Sequence, residues 1–74
     1  VESAAFMALR EIQLYLTRNR PPRVKVRMPR DVALYVLNRQ KRHLVRLEHD
    51  FETEITVSAG HGLRIGQILV EKAE

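Results

Sequence analysis

The sequence predicts a single small α+β domain spanning residues 1–74, with elements in the order α-β-α-β-β and a three-stranded mixed sheet packed with two helices. Three observations carry that expectation. Ala5, Leu9, Ile12 and Leu16 recur at spacings of four, three and four, the stripe of an amphipathic helix. Val24, Val26 and Met28 alternate with Arg23, Lys25 and Arg27, the period-two pattern of a half-buried strand. Pro29 then opens a second helical stretch, and two strand-like runs follow it.

The first helix is expected from about residue 3 to 18. The Ser3 hydroxyl suits an N-cap, where it accepts from a first-turn amide that otherwise has no partner. Phe6, Met7, Leu14 and Tyr15 widen the apolar surface beyond one stripe, so this helix either lies deep in the core or faces another chain. Asn19 and the Pro21-Pro22 pair end it, because proline removes a donor and disfavours the helical conformation in the residue before it. The first strand runs from 23 to 28, and Pro29 stops it. A second helix is expected over about 30–49, with Val32 also inward and a buried stripe of Ala33, Val36, Leu37, Leu44 and Leu47 that Phe51 continues. Gln40 takes one slot of that stripe, which places it at the core boundary with its amide in water.

A second strand follows at about 52–58, with Ile55 and Val57 facing one way and Glu54 and Thr56 the other. A strand, a helical crossover and a strand favour parallel pairing. Ser58 to Gly62 reads as a turn, and a third strand at about 63–70 is expected antiparallel to the second. Its alternation changes phase at Gly66, which predicts a β-bulge there or a strand covered on both faces. Residues 71–74 are expected to fray. The chain has no internal repeat and no low-complexity tract.

A chain of 74 residues has a modest core. Domains of this size bury only about 60% of the surface that the unfolded chain exposes. No cysteine is present, so neither a disulfide nor a cysteine-ligated zinc can staple it. No apolar run approaches the length of a membrane span, and the N-terminal residues lack the order of a signal peptide. A cytoplasmic setting is expected, and the start at Val1 suggests a fragment or a processed end.

The net charge of +4 understates the asymmetry. Ten of the thirteen basic residues lie between Arg18 and Arg46 with Asp31 as the sole acid, a local balance of +9. Such a polarised field attracts polyanions. Arg39, Lys41, Arg42 and Arg46 cover an arc of the second helix, and Arg23, Lys25 and Arg27 extend from the first strand. Arginine suits bidentate phosphate contact. Few aromatic residues are available to stack on bases, so nucleic-acid contact from these seven residues is expected to be backbone-directed and poorly sequence-selective, which suits a duplex or structured RNA better than a read single strand. Leu34 and Val45, off the buried stripe, and Tyr35 at its margin form a candidate subunit interface.

Little in the chain points to catalysis or to a small-molecule substrate. His43 and His49 are six apart on one helix, which is not the spacing of a helical metal pair, and His61 stands in a glycine turn. Glu52 and Glu54 are expected to pair across strands with Lys25 and Arg27. Gly60-x-Gly62-x-x-x-Gly66 links strands and opens no helix, so it lacks the dipole end that holds a phosphate. A K-homology domain would need a Gly-x-x-Gly loop between helices, which has no counterpart here.

The string Pro29-x-x-Val32-Ala33-x-Tyr35-Val36-Leu37-Asn38, after a strand and before a basic turn of helix, resembles the ribonuclease E/G family. It matches the small domain at the C-terminal end of that family's catalytic region. The likeness extends to the helix at residues 4–17, the helix tail at 44–48 and the strand at 53–57. The sequence departs from the family pattern at Arg39, where an acid is common, and in the Gly60-His61-Gly62 turn. The resemblance implies that the whole enzyme is a magnesium-dependent endoribonuclease of single-stranded RNA, acting in RNA decay and ribosomal RNA maturation. It also implies that this domain helps subunits assemble into a homo-oligomer and lies near bound RNA. Magnesium and zinc are expected elsewhere in the whole enzyme, so this chain is assigned no cofactor, no metal ligand and no catalytic residue. The rival expectation is a stand-alone basic adaptor that docks on an acidic protein and never meets RNA.

Overall fold

Burial alternates strictly along the first strand, β1 (Arg23–Met28): Val24, Val26 and Met28 are fully buried, and Arg23, Lys25 and Arg27 are exposed. In this computed structural model, which describes residues 2–64 and 67–73, everything else is arranged around that strand. Helix α1 (Glu2–Asn19) precedes it, and α2 (Arg30–Arg39), α3 (Lys41–Phe51), β2 (Glu54–Ala59) and β3 (Leu69–Lys72) follow. The sheet is mixed, in the order β2-β1-β3, and the fold is α+β as expected. β1 runs parallel to β2, with Val24 opposite Ile55 and Val26 opposite Val57. The helices cover the apolar face of the sheet, and the other face is open.

The α1 stripe is as read from the sequence. Ala5, Leu9, Ile12 and Leu16 are at most 1% exposed and join β1 in the core. Phe6, Met7 and Leu14 stay outside, each more than 40% exposed, so α1 buries one stripe and leaves an apolar back. Ser3 lies within the helix and not at its cap. The helix start is held further upstream, where the Tyr35 hydroxyl donates to the Glu2 carboxylate at 3.1 Å.

The expected long second helix is two helices. Gln40, at φ −117° and ψ 23°, donates its amide to the Val36 carbonyl at 3.0 Å. Its own carbonyl accepts from His43 at 3.1 Å and Leu44 at 3.2 Å. It thus closes α2 and opens α3. With no apolar side chain to hold that turn against the core, the chain reorients, and Leu44 and Leu47 return to the core from α3. Gln40 is half-buried, in keeping with its boundary assignment. Leu37 is the casualty: the buried set of α2 is Val32, Ala33 and Val36, and Leu37 is 41% exposed.

The third strand also differs from expectation. β3 pairs antiparallel with β1, not with β2, and it occupies residues 69–72 instead of 63–70. Glu71 and Lys72, expected to fray, are its end. The reason lies in β1, whose inner face is the most deeply buried in the sheet and which is flanked on both edges. The chain therefore passes from the end of β2 to the far side of β1. Gly62, at φ 74°, supplies a left-handed turn on the way, and a Cβ at Gly60 would run into Leu63. The bulge assigned to Gly66 lies outside the described residues.

A helix cap and one side-chain bond fix the passage from α3 to the sheet. Glu52, in the left-handed conformation at φ 50°, ends the helix, and the Glu48 carboxylate accepts the Ile55 amide at 2.8 Å. Thr53 is buried, and its hydroxyl has no partner among the described residues. Such a group costs desolvation without a compensating bond. Thr53→Val is therefore expected to leave stability unchanged or raise it by up to about 1 kcal/mol. Ile12→Ala, which empties a fully buried site, is expected to cost about 3 kcal/mol. Urea unfolding of both variants beside the parent chain measures the two effects.

Candidate nucleic-acid interface

The break at Gln40 gives the basic residues of the helices their arrangement. Arg39 ends α2, and Lys41, Arg42 and Arg46 lie on the first turns of α3, all exposed. Asn38, Arg39, Lys41, Arg42 and Val45 line a shallow groove at this elbow. A second groove, lined by Gln40, Arg42, His43 and Arg46, adjoins it and shares Arg42. A straight helix would have spread these cations along one arc.

Among the described residues an ion pair joins Arg27 to Glu71 at 3.7 Å, the His49 imidazole lies 3.7 Å from the Asp50 carboxylate, and neither contact involves an elbow cation. Arg42 and Arg46 stand one turn apart on the same helix, a like-charge spacing that costs α3 a few tenths of a kcal/mol. A cluster of exposed cations held close together without acid partners does little for the fold. It can hold phosphate oxygens, and it raises the local potential for an approaching polyanion.

The strand cations are a separate set. Arg23, Lys25 and Arg27 project from the open face of the sheet, on the other side of the core from the elbow. Acids are interleaved with them. Glu54 lies opposite Arg23 in the register, Glu71 lies opposite Lys25, and Glu71 pairs with Arg27. This last bridge is about half exposed, which limits it to about 0–1 kcal/mol. The expected pairing of Lys25 and Arg27 with Glu52 and Glu54 is not formed. Glu52 is off the strand, closing α3, and the acid that reaches Arg27 comes from β3. Arg20 places its guanidinium 5.6 Å from the centre of the Phe51 ring, tying the loop before β1 to the end of α3.

The structure thus gathers Arg39, Lys41, Arg42 and Arg46, and leaves Arg23, Lys25 and Arg27 in another layer. Asn38 and His43 join the elbow grooves, although the sequence reading did not place either among the RNA-contact candidates. The signal that could have found them is Gln40, a polar residue in an apolar slot, read as a bend instead of a boundary. Of the candidate interface residues, Leu34 is 48% exposed and Val45 is 52% exposed. Tyr35 is half-buried, with its hydroxyl committed to Glu2, and Leu37 adds to the exposed apolar surface of α2.

Among the described residues no three His, Asp or Glu side chains converge as a cation site. No described helix is long and apolar enough to cross a membrane. The family model described as RNase E/G, Thioredoxin-like domain matches residues 1–73. No curated protein matches the chain.

Proposed function

The chain belongs to the RNase E/G thioredoxin-like domain family, and from that premise we propose that it is a non-catalytic small domain of a ribonuclease E/G-type endoribonuclease. It acts there in subunit assembly and in contact with the RNA backbone, within an enzyme of RNA decay and ribosomal RNA processing in the cytoplasm. The observation that supports RNA contact best is the elbow: Arg39, Lys41, Arg42 and Arg46 crowd two adjoining grooves, and none is in an ion pair among the described residues. Leu34 and Val45, exposed on the same pair of helices, offer apolar area for a neighbouring subunit. The strand cations, interleaved with Glu54 and Glu71, are a secondary contact at most.

Magnesium and zinc belong to other parts of such an enzyme. On this reading the chain is given no metal ligand, and no step of the chemistry is assigned to it. What the chain contributes is charge and shape: guanidinium groups that meet phosphates through the backbone, with few aromatic residues to read bases.

Binding of single-stranded RNA is expected to weaken with salt, with a log–log slope of roughly −2 to −3 for three or four phosphates neutralised. The triple change Arg39→Glu, Lys41→Glu, Arg42→Glu is expected to abolish binding while circular dichroism shows the fold intact. Changing Arg23 and Lys25 to Glu is expected to weaken binding far less. Fluorescence anisotropy across a salt series reads all of these. A folded parent chain with no RNA affinity at low salt would favour the basic adaptor instead. For assembly, Leu34→Glu with Val45→Glu in the intact enzyme is expected to lower its sedimentation coefficient without unfolding it.

A further inference from the structure

β2 is an edge strand, and its free edge carries less protection than edges usually have. The amides of Glu54 and Gly60 donate to the Pro22 and Met28 carbonyls at 3.1 and 2.9 Å. Strand alternation then turns the amides and carbonyls of Ile55, Val57 and Ala59 away from the sheet. Glu48 takes the Ile55 amide, and among the described residues the amides of Val57 and Ala59 have no partner. The opposite edge, β3, is guarded in the ordinary way by its charged residues Glu71 and Lys72. From Ile55 to Ala59 β2 has no charge and no proline.

We propose that this edge pairs with the β2 edge of a second copy of the chain, antiparallel and centred on Val57, joining the two sheets into one. Self-complementarity selects the occupant. In that register Val57 faces Val57 of the second copy, and Ile55 faces its Ala59, both at hydrogen-bonded sites. Thr56 meets Ser58 of the second copy at the closer, non-hydrogen-bonded site, where two hydroxyls can bond. Glu54 falls opposite Gly60, so no like charges meet along the seam. Val57 exchanges reciprocal bonds, and each Ala59 amide reaches the Ile55 carbonyl of the other copy. Glu48 keeps the Ile55 amide and so limits how far the ladder extends. This surface is distinct from the Leu34 and Val45 patch, and its existence does not depend on the assembly role proposed for that patch.

Sedimentation and amide exchange of the 74-residue chain test the pairing. Over roughly 10 μM to 1 mM, the range suited to a small interface, the chain is expected to pass from monomer to dimer. Exchange at Val57 and Ala59 is expected to slow as it does so. Thr56→Lys with Ser58→Lys sets lysines opposite each other and is expected to weaken the dimer about tenfold. An equimolar mixture of that variant with Thr56→Glu, Ser58→Glu is expected to pair more tightly than either alone. Leu34→Glu with Val45→Glu is expected to leave this dimer unchanged, which separates its failure from failure of the helical patch. A chain that stays monomeric throughout the range overturns the proposal, as does a dimer indifferent to the lysines. Exchange at Val57 and Ala59 that is independent of concentration overturns it too, even where the lysine variants fail to fold.

Discussion

The zipper-like alternation of β1 is the constraint on which the rest of the molecule depends. One face of six residues is wholly apolar and the other wholly basic. Removing Val24, Val26 and Met28 from water requires a layer of helices on one side only. α1 supplies the aliphatic stripe that meets them, and α2 and α3 complete the cover. The strand is then flanked on both edges, by β2 in parallel and β3 in antiparallel register. A small domain without disulfides can organise itself around one such strand because nearly all of its buried side chains belong to one cluster.

Much of this was legible from residue spacing. The α1 stripe rests on four side chains and the β1 alternation on six that agree with one another, and local pattern and tertiary burial coincide there. The departures occurred where the pattern was thin. Gln40 was one polar residue in a stripe, and a bend and a boundary look alike in one dimension. Leu69 to Lys72 is short and half charged, so its strand character comes from pairing with β1 and hardly from its own composition. Which edge of which strand it joins is a property of the whole sheet and is invisible in local alternation.

The candidate site shows the same division. That ten cations crowd the middle of the chain is a fact of sequence. Their separation into a sheet face interleaved with acids and an elbow whose cations are in no ion pair among the described residues is a fact of topology, because β3 delivers Glu71 to the strand cations. Net charge alone does not distinguish the two sets. A bend of one residue converts a dispersed arc of arginines into two grooves that share Arg42.

The place of β3 beside β1 also bears on how the molecule is made. The central strand emerges from the ribosome early, yet one of its two neighbours is encoded more than forty residues later, at Leu69 to Lys72. Until that segment is released, one flank of β1 stands bare, with its amides and carbonyls open to a stray strand. Folding to completion is therefore held back almost to the last residues of the domain, and a polypeptide cut short after β2 would leave the biosynthetic machinery with the most buried strand of the fold as an unfinished border.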